Sequence, residues 1–458
     1  MATGEVDAVV VGTGPGGEDA AGRLAAAGLD VVAVEARLVG GECPYYACIP
    51  TKMMVRAAGA LAEARRVPEL AGSAQARPHF RVVADRISSE ATTGWDDRAA
   101  VQRLESAGCR VVRGRGRLTA PGEVTVDLAA GGQEVLRARR AIVLNPGTEP
   151  AVPPIDGLDG TPYWTNRDAV AAIAAPESVL VLGGGPVGLE FAQVFARFGS
   201  AVTLVEAGQR ILAPSEPEAS EVLTGVLRAE GIDVRTGAGV NRVSHGEAGF
   251  RVELDGGGPV EAERLLVATG RRTDLAALGV DAVGLDASAR TIPVDERLRA
   301  ADGVWAIGDV TGHGAFTHTS VYQSPIAVAD ILGQESAPAD YRAVPAVTFT
   351  DPEVATVGHT EKSASQQGIR VRTGSTEIPS SPRGWIHKAG NAGLIKLVAD
   401  ADRGVLVGAT VAAPSGGEVV GALAVAVHAE VPVVQLQRMI YGYPTFHRAI
   451  SAALEDLG

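Results

Sequence analysis

The chain has 458 residues, enough for two to four domains with sizeable cores. Its formal net charge of −13 argues against a nucleic-acid binder, and 46% hydrophobic with 21% charged residues is ordinary for a soluble globular protein. Three cysteines make no disulfide framework, the opening Met1-Ala2-Thr3-Gly4-Glu5 shows no signal-type segment, and no apolar run reaches the length of a membrane helix. A cytoplasmic protein that avoids membranes is therefore expected.

Asp7 to Val11 is a short apolar run and reads as a buried strand. It leads into Gly12-Thr13-Gly14-Pro15-Gly16-Gly17. Glycines 12, 14 and 17 have the spacing of a dinucleotide-binding turn: one for the bend, one for pyrophosphate approach, one for helix–strand packing. A helix is expected over 18–27. A strand from Asp30 to Val34 follows and ends at Glu35, an acid placed to bond a ribose hydroxyl. Strand, glycines, helix, strand and acid together carry the assignment, which the glycines alone would not.

Gly40-Gly41-Glu42-Cys43-Pro44-Tyr45-Tyr46-Ala47-Cys48-Ile49-Pro50-Thr51-Lys52 holds two of the three cysteines. The Ala- and Arg-rich run 53–66 reads as a helix, which sets Cys48 at the mouth of a helix N-terminus, where a thiolate is favoured. So small a loop gives a structural disulfide little entropy to remove. A pair cycling between thiols and disulfide is the better reading. Two unrelated buried cysteines, or half a zinc site lacking its second close pair, are the alternatives.

The stretch 77–98 is hard to read. A strand starts at 108–112, with Cys109 taken as a small buried hydrophobe. Residues 123–128 alternate as part of a meander. The run 141–144 is a buried strand closed by the turn Asn145-Pro146-Gly147-Thr148, and the Pro-rich 150–154 is a linker. The pattern then repeats. A strand over 178–182 precedes Gly183-Gly184-Gly185-Pro186-Val187-Gly188, with glycines 183, 185 and 188 at the same spacing. A helix carrying Glu190 follows, then a strand over 201–205 ending in Glu206. That acid would accept from a ribose 2′-hydroxyl and repel a 2′-phosphate, favouring NADH over NADPH, with Arg210 nearby as a counterweight.

The strand 265–270 ends this second half at Gly270. Gly303 to Asp309 is a buried strand whose terminal carboxylate can take a sugar-alcohol hydroxyl, or simply close a turn. A helix is expected over 322–332. From Tyr341 the texture changes to α+β. It has an edge-like strand over 344–352, strands at 394–398 and 405–411, a helix over 418–429 and continuing helix over 433–440.

These residues, in order over nearly the whole chain, resemble the FAD-dependent pyridine nucleotide–disulfide oxidoreductases. Gly40-Gly41-Glu42-Cys43…Cys48-Ile49-Pro50-Thr51-Lys52 is similar to that family's redox-disulfide motif. The resemblance implies an α/β fold with two Rossmann-like dinucleotide-binding domains plus a C-terminal α+β dimerisation domain. The expected bounds are 1–150 for the first part of the FAD domain, 151–272 for the NAD(P) domain, 273–340 for the part completing the FAD domain and 341–458 for dimerisation. It implies FAD on the first turn, with Gly12, Gly14, Gly17, Glu35, Gly41, Asp309, His318 and Thr319 binding it. NAD, rather than NADP, would sit on the second, with Gly183, Gly185, Gly188, Glu206 and Gly270.

It further implies Cys48 as the flavin-proximal thiol, Cys43 as the interchange thiol, and a Lys52–Glu190 ion pair beside the flavin. The plainer reading of that pair is a helix-tying salt bridge. No metal ligand set is expected. A homodimer and a small-molecule electron acceptor are. One departure stands out. Tyr443 and Arg448 occupy the positions of the family's acid–base His and the Glu that orients it. Tyrosine titrates near 10 against about 6.5 for histidine, so Tyr443 is a poor general base. His447, one helical turn on, is the candidate substitute; a surface or interface position is its plainer role. Three readings follow: a disulfide-type acceptor; a quinone, metal ion or oxygen; or a redox sensor with little turnover.

Overall fold

The computed structural model describes residues 2–458. They form two compact units, one made of residues up to Pro50, Arg86–Pro150 and Arg271–Tyr341, the other of Thr51–Asp85, Ala151–Gly270 and Arg342–Gly458.

At the centre of the first unit, Ala8–Val11 pairs in parallel with Val31–Val34 on one side and Ala141–Leu144 on the other. Cys109–Arg113 extends the sheet beyond Val31–Glu35, and Val304–Ala306 extends it beyond Ile142–Leu144. The strand Val31–Glu35 is buried at every position, because both faces are covered. Ala8 and Val10 pack with Leu24, Ile326 and Ala327, from the helices Pro15–Ala26 and Thr317–Ile331. Val9 and Val11 pack instead with Leu118, Val124 and Leu136. Those residues belong to an antiparallel meander in which Glu123–Leu128 pairs with the far half of Cys109–Ala120, beyond its parallel partner, and with the first half of Gln133–Leu144.

Several elements begin earlier than expected, each for a local reason. The helix Pro15–Ala26 opens three residues before Glu18, since the missing N–H of Pro15 costs nothing in a first turn. The helix expected from Met53 runs Cys48–Leu70, with Pro50 likewise tolerated near its start. The helix expected from Tyr322 starts at Thr317; two threonines blur its signal, and the close packing of Ser320 on Gly16 holds its first turns. The unread stretch 77–98 resolves into the helix Phe80–Arg86 and a π-helical turn at Ile87–Ala91, and the helix Arg98–Ser106 begins where it ends.

The second unit holds a four-stranded parallel sheet in the order Arg264–Val267, Ser178–Leu182, Ala201–Glu206, Asp233–Thr236. A three-stranded antiparallel sheet spans Val240–Gly246, Gly249–Leu254 and Val260–Ala262. A five-stranded antiparallel sheet runs in the order Pro345–Thr348, Glu353–Gly358, Val405–Ala413, Leu394–Asp400, Val371–Glu377. The strand carrying Pro345 lies at an edge, where a missing donor is tolerated. Leu423, Val427, Ile450 and Leu454, on the helices Gly416–His428 and Ala449–Asp456, pack into the core of this sheet. The expected helical run 433–440 is a separate short helix, Val433–Gln437. Glu430 adopts φ +50° and Pro432 offers no donor, so the preceding helix stops.

Candidate functional site

In the first unit the strand-to-helix turn at Gly12 closes tightly. A Cβ on Gly12 would run into the carbonyl of Asn145, and one on Gly17 into the carbonyl of Gly12, so glycine is required by contact. The Asn145 side chain ties the turn together: its Oδ1 accepts from Gly17 N at 2.8 Å and its Nδ2 donates to Ile307 O at 2.9 Å. Glu35 is 8% exposed at the end of its strand and accepts from the Thr13 amide at 2.9 Å, the Thr13 hydroxyl at 2.8 Å and the Arg37 amide at 2.8 Å. A buried carboxylate is tolerable only when so bonded.

The cysteine stretch meets this turn. A Cβ on Gly41, which has φ +68°, would lie 2.8 Å from Gly14 Cα. Glu42–Tyr45 makes one helical turn, and the helix Cys48–Leu70 starts at the second cysteine. Cys43 and Cys48 are both half-buried, and the Cys48 Sγ lies 3.4 Å from the Thr317 hydroxyl. The Tyr46 ring stacks on Trp95, centroids 6.4 Å apart, while Tyr45 is buried.

Asp309 follows the Val304–Ala306 strand and accepts from the Thr148 hydroxyl at 2.8 Å. His318 is exposed and stacks on Phe316, centroids 5.0 Å apart. Thr319 is 3% exposed, and its hydroxyl has no hydrogen-bond partner among the described residues. A buried polar atom left without a partner costs free energy that a ligand recovers. It sits in the first turn of the Thr317–Ile331 helix, which has no side-chain cap. An uncapped helix start, an orphaned hydroxyl and a glycine turn that opens a helix together fit FAD.

Sequence reasoning missed Arg271. Its guanidinium donates to the Thr148 hydroxyl at 2.7 Å and the Thr148 carbonyl at 2.5 Å, and lies 3.6 Å from the Glu42 carboxylate. It joins the cysteine stretch to the Asp309 cluster. Nothing in the local sequence distinguishes it from Arg272.

In the second unit the Gly183 turn repeats the construction, with a Cβ on Gly183 running into the carbonyl of Ala268 and one on Gly188 into that of Gly183. Gly185 is the N-cap of the helix Pro186–Arg197. Glu206 accepts from the Gly184 amide at 2.7 Å and the Gly208 amide at 2.6 Å. Arg210 donates to the carbonyls of Leu212 at 3.2 Å and Ala213 at 2.6 Å. Gly270 has φ +131°, and its carbonyl accepts from Ala151 N. Lys52 Nζ reaches Glu190 Oε2 at 2.7 Å and lies 4.6 Å from the centre of the Phe349 ring. The other Glu190 oxygen accepts from Phe349 N at 2.9 Å, which completes the pairing of a carboxylate only 6% exposed.

Near the C-terminus Tyr443 is 72% exposed. His447 packs on Tyr441 with centroids 5.0 Å apart, and Arg448 immediately precedes the helix Ala449–Asp456 without a capping side-chain bond. Cys109 is buried, and burial pushes its thiol up to about 11, which makes it unreactive at neutral pH. Among the described residues no helix is long and apolar enough to cross a membrane.

Residues 6–324 match the pyridine nucleotide-disulphide oxidoreductase family, and residues 344–454 match that family's dimerisation domain. The chain therefore belongs to this family. It is an FAD-dependent NAD(P)H oxidoreductase carrying the family's dimerisation domain. The chain is 33% identical to a mercuric reductase of Acidithiobacillus ferrooxidans over 98% of its length and 82% of that protein's. It is 32% identical to a dihydrolipoyl dehydrogenase of Chlorobaculum tepidum over 99% of its length and 97% of that protein's. The Cu(II) complex of RclA, an HOCl-induced flavoprotein disulfide reductase of Escherichia coli, superposes with a TM-score of 0.86 at 26% identity and 99% coverage of both chains.

Proposed function

We propose that the protein oxidises NADH and reduces a disulfide-type acceptor, with Cys43 and Cys48 as a dithiol relay and the homodimer as the working form. The observation that carries this reading is the placement of Cys48, whose sulfur lies 3.4 Å from the Thr317 hydroxyl, two residues before the buried, partnerless hydroxyl of Thr319. The chemistry FAD supplies when bound is two-electron exchange between a nicotinamide and a thiol pair. Gly12, Gly14, Gly17, Glu35, Gly41, Asp309, His318 and Thr319 would hold it. Lys52, fixed by Glu190, would supply a positive charge that favours an electron-rich ring.

Gly183, Gly185, Gly188, Glu206 and Gly270 would hold the nicotinamide nucleotide. Glu206 favours a free ribose 2′-hydroxyl, and Arg210 engages the Leu212 and Ala213 carbonyls, away from any role as a 2′-phosphate clamp; both support NADH over NADPH.

At the acceptor, the Cys43 thiolate attacks one sulfur of the disulfide, forming a mixed disulfide and releasing a thiolate. The Cys48 thiolate then attacks the Cys43 sulfur, closing the Cys43–Cys48 disulfide and releasing the second thiolate. Both leaving thiolates take protons. Tyr443, standing where the family's acid–base His would be, donates less readily than an imidazolium. Slow turnover of dihydrolipoamide is the expected consequence. Anaerobic titration with NADH tests the relay: uptake should exceed one two-electron equivalent per flavin, and Cys43→Ser should reduce it to one. A parent protein that stops at one equivalent would overturn the proposal.

A second reading is favoured by Tyr443 together with the names of the similar proteins, a mercuric reductase and a Cu(II) complex. A soft metal ion held by two thiolates needs no proton for a leaving group, so the missing His is no handicap. NADH oxidation stimulated by Hg(II) or Cu(II) but not by small disulfides would select this reading over the first.

A further inference from the structure

The Cys48 sulfur lies where two helices begin. Cys48 is the first residue of the helix Cys48–Leu70, and Thr317 is the first residue of the helix Thr317–Ile331. The Thr317 Oγ1 is 3.4 Å from Cys48 Sγ, and this is the one hydrogen bond of that hydroxyl among the described residues. A hydroxyl can donate or accept, whereas a thiolate can only accept. When the thiol ionises, the Thr317 proton is therefore free to turn toward sulfur without breaking another bond. The amides of the first turn of each helix carry partial positive charge and point the same way energetically. A hydrogen bond to an ionised partner is worth more than one to a neutral partner, so this contact strengthens as the proton leaves.

We propose that Thr317 is a further residue of the thiol relay: its hydroxyl donates to the Cys48 thiolate and keeps that thiolate populated at neutral pH. The inference rests on the dithiol-relay reading above and names the residue that tunes it. Thr317 moves no electrons and binds no acceptor. Its role is to set which protonation state of Cys48 the relay draws on. The buried Cys109, whose thiol donates to the Arg110 carbonyl at 3.7 Å and is raised by burial, marks the opposite case in the same chain.

The test uses flavin-loaded Cys43→Ser protein, in which the relay cannot turn over and Cys48 is read alone. Iodoacetamide labelling of the Cys48 peptide is followed against pH by mass spectrometry, with the thiolate's ultraviolet absorbance as a second titration that needs no reagent access. Cys109 stays unlabelled because it is buried. Thr317→Val keeps the shape and removes the donor, and should raise the Cys48 pKa by about one unit, roughly a tenfold loss of labelling rate at neutral pH. Thr317→Ser restores the donor and should return the profile to within a few tenths of a unit. A Val profile that superimposes on the parent overturns the proposal. So does an equal shift in Val and Ser, which would assign the effect to packing. Failure of the relay reading shows elsewhere, in the NADH titration of the parent, so the two are separable.

Discussion

In the first glycine turn the second position is Thr13 and the fifth is Gly16; in the other turn those positions hold Gly184 and Val187. The consequences are physical. Thr13 places both its amide and its hydroxyl on Glu35, while Gly184 offers only an amide to Glu206. Gly16 admits Ser320 so closely that a Cβ would strike both its hydroxyl and its carbonyl, whereas Val187 is 38% exposed. Asn145, which knits the first turn to Gly17 and Ile307, has Ala268 as its counterpart in the second. One spacing thus serves two ends. No residue of the first turn is exposed and it is tied from several sides, which fits the proposed resident FAD; the second exposes Pro186 and Val187 and is tied by fewer bonds, which fits a nucleotide that comes and goes.

The most forceful way to break this comparison is to make the first turn imitate the second. Gly16→Val must displace the Ser320 backbone, and should cost at the upper end of about 1–3 kcal/mol and leave protein with little flavin. Val187→Gly should cost about 1 kcal/mol at most, the helix propensity alone. Urea unfolding and the flavin-to-protein absorbance ratio measure both. A stable, yellow Gly16→Val protein would mean that the close Ser320 packing has no consequence.

A milder probe is Asn145→Ala, which gives the first turn the residue found in the second. It strands the Gly17 amide and the Ile307 carbonyl and should cost about 2 kcal/mol. The reverse change, Ala268→Asn, should gain nothing, since the second turn is not built around such a side chain. Equal effects in the two turns would erase the distinction.

The smallest effect is confined to alkaline pH and sharpens the comparison at the outermost strands. The outer strand of the first parallel sheet begins at buried Cys109, and its counterpart begins at exposed Asp233. Burial raises the Cys109 thiol from 9.0 to about 11 in the folded protein. The neutral thiol therefore stabilises the fold fully below about pH 9, and that contribution is lost as pH rises toward about 11. By pH 10 the loss is about 1 kcal/mol. Cys109→Ala should remove this slope from unfolding free energies measured across that window. An unchanged slope would show that Cys109 does not set it.

Much of the candidate site was legible in the linear chain because its signals are local. A glycine at a fixed offset from a strand end, or an acid closing the next strand, needs no knowledge of distant residues. The stretch 77–98 gave no such signal. Its one α-helix is short, with a single apolar set of Phe80, Val83 and Ala84, and a π-helical turn at Ile87–Ala91 breaks the period directly after it. The start of the Thr317–Ile331 helix was also obscure, since threonines weaken helical propensity and its first turns are held by packing.

What the chain determined by itself was the repeat of two glycine-rich strand-to-helix turns and the cysteine pair at the start of a helix. Spacing and residue type suffice for these, because they are properties of neighbours along the backbone. The tertiary structure alone decided which distant groups meet: Thr317 with Cys48, Arg271 with Glu42 and Thr148, Glu190 with both Lys52 and Phe349 N. Those meetings follow from how sheets and helices pack, and a hydroxyl 269 positions away in the chain becomes a neighbour of a thiol only once the first unit has closed.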